Sequence, residues 1–183
     1  MNSSSIFRKY AYCWHACQTL RLQYLKTMTN IQAMPGHLIR RLNQISTSIF
    51  QARMQSLGLD LTPVQFAALT ILRDNRGIDQ ATLAGLIAYD RVTIGGVVDR
   101  LHNKGLVERT VNERDRRARH VSITPKGADL LATVLPHVVD LQDGILTGLS
   151  DSERETFIAL ADKAAAFGND LSRAPLKPRV EPD

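Results

Sequence analysis

Five arginines, Arg109, Arg114, Arg116, Arg117 and Arg119, stand within eleven residues and are opposed only by Glu113 and Asp115, a local net of +3. Guanidinium groups present planar donor forks that match phosphate oxygens, so this density suits contact with a polyanion. A charged, solvated turn would have the same composition, and the flanking residues bear on the choice. Leu106–Val111 and Arg119–Ile123 alternate as strands do, while Asn112–Ala118 is polar throughout. The pattern predicts a two-stranded hairpin with a basic tip. Such a tip can cross a phosphate backbone and enter a minor groove, whose negative potential attracts arginine.

The elements before the hairpin favour that reading. Asp90 is placed to cap a helix running to about Asn103, with Ile94, Val97, Val98 and Leu101 on its inward row and Lys104-Gly105 closing it. Asp79 caps a shorter helix, Gln80–Ile87, that turns Leu83, Leu86 and Ile87 inward. Only Ala88 to Asp90 separate the two, which makes a helix-turn-helix. Its second helix would lie in a major groove, with Arg91 and Thr93 of the first turn touching base edges or nearby phosphates. Gly95, Gly96 and Arg100 share the outward face. Each glycine costs about 1 kcal/mol in a helix interior. Either close approach to DNA or tight packing against a neighbouring helix would account for them. Asp99 and Arg100 are expected to form ion pairs with the hairpin.

Further helices flank this unit. Leu38, Ile39, Leu42, Ile45, Ile49 and Leu57 recur with helical spacing over Pro35–Leu57, and Gly58 ends the run. Thr62, Pro63 and Gln65 open the next helix with a capping box; its apolar face is read as Val64, Phe66, Ala67, Leu69, Ile71 and Leu72. Thr124-Pro125 starts a long helix reaching toward Leu146, and Ser150 with Glu153 starts a last one ending near Gly168. Residues 1–30 hold three of the four Tyr, the one Trp and both Cys, and read as an N-terminal extension. The tail 171–183, with Pro175, Pro178 and Pro182, is expected to lack order.

Composition excludes several classes. The 183 residues are 44% hydrophobic and 22% charged, with a net charge of +5, an ordinary globular balance with a basic lean. No apolar run approaches the ~18 residues of a membrane span, and the N-terminus has neither an apolar h-region nor a cleavage site. A cytoplasmic location with no membrane partner follows. There is no phosphate-cradling glycine loop, nucleophile elbow or paired-histidine motif, so no enzymatic activity is expected. The five His are scattered singly, and Cys13, His15 and Cys17 match no common zinc spacing, so no cofactor or metal is expected either.

The stretches LTPVQFAAL, DQATLAGLI, DRVTIGGVVDRLHNKGLVER and DRRARHVSITPKG resemble the MarR family of bacterial regulators, and the resemblance extends over about Pro35–Gly168. It implies a mainly α fold: a winged helix-turn-helix with a small β-wing, flanked by N- and C-terminal dimerisation helices. The segments would be a dimerisation helix at 31–58, the DNA-binding domain at 59–124 and two dimerisation helices at 125–170. It further implies a homodimer that binds a pseudo-palindromic site on double-stranded DNA as a repressor, and is released by a small aromatic carboxylate or phenolic effector. By position, Asp115 would brace the wing and Arg117 enter the minor groove, with Arg114, Arg116 and Arg119 beside them. Gly96 departs from the larger polar or basic side chain common in the family, which puts base readout in that turn in doubt.

Val134, Leu135, Val138, Leu141, Leu146, Phe157 and Leu160 are expected to supply much of the dimer interface. The family's effector cleft would draw here on His37, Arg40, Arg41 and Arg53 with Phe66, a set suited to an aromatic acid; the same arginines would also serve as solvated or cross-dimer ion-pairing groups. A further likeness is to regulators of aromatic or nicotinate-type catabolism. Two alternatives stand beside this reading: an oxidant sensor of the same family using Cys13 and Cys17, and a helical protein-interaction module.

Overall fold

The computed structural model describes residues 30–111 and 119–177. In chain order these form α1 (Pro35–Ser56), α2 (Pro63–Asp74), β1 (Ile78–Asp79), α3 (Gln80–Leu86), α4 (Arg91–Asn103), β2 (Val107–Val111), β3 (Arg119–Ile123), α5 (Pro125–Ile145) and α6 (Asp151–Phe167). Short 3-10 turns at Ile31–Ala33 and Asn169–Leu171 precede α1 and follow α6. This is a mainly helical winged helix-turn-helix.

The chain divides into two compact units at Ser46/Thr47, inside α1. On the N-terminal side, Asn30 caps the 3-10 turn by accepting from Gln32 N at 3.0 Å, and Leu38, Ile39 and Ile45 stand exposed on α1.

Local chemistry sets the helix ends. Gly58 takes φ +69, and Leu59 N reaches back to Met54 O at 2.9 Å, the left-handed stop expected of a glycine there. Thr62 and Gln65 form the reciprocal capping box, Gln65 N donating to Thr62 Oγ1 at 3.3 Å and Thr62 N to Gln65 Oε1 at 3.2 Å. Asp79 Oδ1 accepts from Ala81 N and Thr82 N at 2.8 and 2.9 Å. At α6, one oxygen of Glu153 takes both the N–H and the hydroxyl of Ser150, each at 2.8 Å.

One hydrophobic cluster joins the C-terminal part of α1 with α2–α5 and the sheet, with Met54, Leu69, Leu72, Leu83, Ile94, Val97, Val98, Leu101, Val107, Val121, Leu131 and Val134 essentially removed from solvent. The inward row expected for α4 is fully buried. On α2 the buried residues are Gln65, Ala68, Leu69 and Leu72, so the face lies slightly off the one read from sequence, and Ala67 is only half-buried. Gln65 is tolerated there because its carbonyl is spent on the cap.

Val134, Val138 and Leu141 correct the expected dimer surface. They lie in this chain's own core, where α5 packs against α2, and are closed to a second chain. Phe157 and Leu160 are exposed as expected, joined by Val139, Ile158 and Phe167.

The sheet is three-stranded and antiparallel in the order β1-β3-β2, with Ile78 opposite Val121 and Arg109 opposite Val121 on its other side. β1 is too short to show as an alternation in sequence. Gly127 seats α5 on this sheet. A Cβ there would lie 2.1 Å from Leu106 O and 2.9 Å from Ile123 Cγ1, so only glycine permits the approach. Thr124 completes the joint by donating to Gly105 O at 2.8 Å and accepting from Gly127 N at 3.1 Å.

Of the tail 171–183, residues 178–183 lie outside the described residues. Over residues 172–177, Asn169 pairs with both backbone groups of Leu176 and Lys177 N donates to Gly85 O at 2.9 Å.

Candidate nucleic-acid interface

The first turn of α4 rises from a buried row into open solvent. Asp90 caps it, Oδ1 accepting from Val92 N at 2.8 Å and Thr93 N at 3.3 Å. Those bonds, led by that from Val92, hold the Asp90 carboxyl below the usual carboxylate range despite the opposing pull of desolvation. Arg91, Val92 and Thr93 are all exposed on this turn. The Thr93 hydroxyl donates to Asp90 O at 3.0 Å, so its donor is engaged while the side chain stays exposed. Val92, which is not among the residues expected at the interface from sequence, is 90% exposed. The available signal was an apolar residue between two polar ones on the outward side of a helix, where core burial cannot explain it. A bare methyl pair there can contact a thymine methyl.

Gly95 and Gly96 are half-buried, and a Cβ would have room at both. It would meet only Gln80 Oε1 at 3.9 Å at the first and an Arg100 guanidinium nitrogen at 3.6 Å at the second. Tight packing against a neighbouring helix therefore does not account for them. Arg100 is exposed and makes no ion pair among the described residues; the hairpin acids Glu113 and Asp115, to which its expected link would run, lie outside them. Asp99 does make that link: Arg109 Nη2 on β2 donates to Asp99 Oδ1 at 2.5 Å. The base of the hairpin is thus tied to the middle of α4. At the other end of α4, Lys104 Nζ bonds Asp60 Oδ2 at 2.7 Å and also the Asp60 carbonyl, fastening the helix to the α1–α2 connection. That bond, with the Lys104 charge, lowers the Asp60 pKa.

Arg114, Asp115, Arg116 and Arg117 lie outside the described residues. Arg119 is placed on β3 opposite Val111, at the point where the hairpin leaves the sheet.

With a helix of open first turn mounted on a closed core, beside a sheet that carries a basic hairpin, comparison with known proteins is decisive. Residues 61–118 match the model described as "MarR family". The HTH-type transcriptional repressor NicR of Pseudomonas putida is 34% identical over 137 residues, 75% of this chain and 85% of that protein. The chain belongs to the MarR family. It is a MarR-family transcriptional regulator. Among solved structures, BpsR of Bordetella bronchiseptica superposes with a TM-score of 0.68 at 29% identity, over 74% of this chain and 96% of that one. That structure concerns regulation of BpsR DNA binding by 6-hydroxynicotinic acid. A mutant MarR from E. coli complexed with operator DNA gives 0.64 at 29% identity, over 70% of this chain and 91% of that one.

The effector candidates of this MarR-family chain fall on both sides of the division in α1. On the N-terminal side His37 is half-buried, and Arg40 and Arg41 are exposed, Arg40 Nη1 donating to Gln44 Oε1 at 2.7 Å. On the other side Arg53 is half-buried, and Phe66 packs on the core with its ring 6.0 Å from that of Phe50, tilted by 57°. The ring expected to stack on a ligand thus already has an aromatic partner. Cys13 and Cys17 lie outside the described residues. Among the described residues no group of three or more His, Cys, Asp or Glu is placed to hold a metal, and no single helix is long and apolar enough to cross a membrane.

Proposed function

We propose that this regulator is a repressor that binds a pseudo-palindromic operator as a homodimer and leaves it when a small aromatic acid or phenol binds. One observation carries the DNA reading: the exposed first turn Arg91–Thr93 on a helix whose opposite row is wholly buried. In a major groove Arg91 would meet a guanine edge or phosphate, and Val92 and the Thr93 methyl would meet thymine methyls. Gly95 and Gly96 allow the helix to sit close. The Arg109–Asp99 pair ties the base of the hairpin to α4; as the family resemblance implies, Asp115 would brace the wing and Arg117 would enter the minor groove, with Arg114, Arg116 and Arg119 beside them.

Dimer formation is supported by the apolar side chains left open on α5 and α6, namely Val139, Phe157, Ile158 and Leu160, and on α1 by Leu38, Ile39 and Ile45. If these helices join the two chains, an effector lodged against them changes the spacing of the two recognition helices, a two-state mechanism. For the effector's acid group the candidates remain His37, Arg40, Arg41 and Arg53, with Phe66 for its ring. The repressor role of NicR and the 6-hydroxynicotinic acid response of BpsR support an aromatic, nicotinate-like acid.

The test is binding of the purified protein to DNA from upstream of its own gene, at two salt concentrations, with and without a panel of aromatic acids. Sequence-preferring binding that weakens steeply with salt, and that one acid abolishes, is the expected result. Salt-insensitive binding with no sequence preference overturns the reading in favour of a protein-interaction module.

A further inference from the structure

The segment after α6 doubles back onto the helix-turn-helix and brings new cations to it. Asn169 closes the segment into a loop, its Oδ1 accepting from Leu176 N at 2.7 Å and its Nδ2 donating to Leu176 O at 3.1 Å. Lys177 N then bonds Gly85 O on α3 at 2.9 Å. Gly85 leaves room for the lysine stem: a Cβ there would lie 2.7 Å from Lys177 Cδ and 2.9 Å from Cγ. Arg173 Nη2 comes within 3.6 Å of Asp90 Oδ2, the cap of the recognition helix. A cavity of about 290 Å³ lies between this strap and the turn, with Tyr89 and Arg91 on one side and Arg173 and Lys177 on the other.

We infer that the C-terminal strap is a second DNA-contacting element, in which Arg173 and Lys177 extend the recognition surface onto phosphates flanking the major groove. The inference rests on the DNA-binding reading of α4. Arg91, Arg173 and Lys177 gather at the first turn of α4 against one acid, Asp90, whose Oδ1 is already engaged by the Val92 and Thr93 N–H groups. A helix lying in the major groove has a phosphate row beside its entry, where exposed cations neutralise charge and release counterions. The exposure of the cations favours a duplex backbone over a small anion. The Arg173 side chain is 91% exposed and Lys177 is exposed, so neither builds a closed receptor for a carboxylate. The strap lies beyond residues 61–118, the stretch that matches the family model.

The experiment compares the full-length wild type with Arg173→Ala, with Arg173→Ala/Lys177→Ala, and with the charge-preserving Arg173→Lys/Lys177→Arg, on the same upstream fragment over a salt series. Each lost phosphate contact removes about 0.9 from the slope of log affinity against log salt. The double alanine variant is expected to lower the slope by about 1.8 per chain and to bind about tenfold more weakly at low salt, with its preferred site unchanged. Arg173→Ala alone, at a side chain too exposed to matter for folding, should give about half that change in slope, and the charge-preserving variant should restore it. An unchanged slope in both alanine variants, while wild type binds DNA, overturns the strap inference and leaves the recognition-helix reading standing. Tighter binding by the alanine variants also overturns it, since the strap would then shield the helix. A wild type that binds no DNA overturns the recognition-helix reading, and the strap inference with it.

Discussion

Two helices of comparable length, α4 and α6, end up in opposite states. α4 buries Ile94, Val97, Val98 and Leu101 in its own chain and turns a polar, glycine-bearing face outward. α6 buries no residue at all, and leaves Phe157 36% and Leu160 62% exposed. The first is complete as a structural element and has a free face for a ligand. The second carries apolar surface that its own chain does not cover, and gains stability only when something does. On the proposed function, the contrast separates two tasks: α4 would present side chains to DNA, and α6 would join two chains.

Several substitutions would break or sharpen this contrast. The largest effect belongs to Leu101→Ala, which empties a fully buried site and is expected to cost about 2–5 kcal/mol in chemical denaturation. If its cost matches that of a surface change, α4 is not seated as described. Phe157→Asp with Leu160→Asp should leave each chain folded but convert the protein to monomer in sedimentation experiments, and make its Tm independent of protein concentration. A persistent dimer would move the interface away from α6. Arg117→Ala should weaken binding to every DNA sequence without lowering Tm; operator binding as tight as wild type would contradict the wing assignment.

A smaller effect is expected at Asp79. Burial pushes the Asp79 carboxyl up, but bonds from the Thr82 hydroxyl and N–H and from Ala81 N–H outweigh it, so the pKa is lowered overall. Asp79→Ala should cost about 1 kcal/mol as a lost helix cap. Because the folded pKa lies below the unfolded value of about 3.9, protonation favours unfolding. The wild-type advantage is therefore full above about pH 4 and fades as pH falls through the folded value. An equal deficit at pH 7 and pH 3 would show that the cap works without its charge.

What could be read in the sequence was what neighbours in sequence decide. Thr62, Asp79 and Asp90 cap the helices they were expected to cap, because a cap needs only the next three residues. The inward row of α4 follows for the same reason. What could not be read depends on residues far along the chain. The spacing of Val134, Val138 and Leu141 shows an apolar stripe but not whether α2 or another chain covers it. The contact of the tail with α3, Lys177 N to Gly85 O, joins residues about half the chain apart, and no local pattern announces it. Gly127 was legible as part of a motif, yet its cause, the Leu106 carbonyl lying where a Cβ would be, emerges only from the fold. At the candidate interface Arg91 and Thr93 stand out in sequence as polar residues on an outward helix face, whereas Val92 shows only as an apolar residue between them, a signal far weaker than a periodic row.

The most direct test of the account is a footprint of the purified protein on DNA from upstream of its own gene. Two chains, each placing α4 in a major groove, should protect two half-sites separated by about one helical turn, 10–10.5 base pairs between centres. A single protected half-site, or no localised protection at all, would contradict the claim that α4 reads DNA while α6 joins two chains.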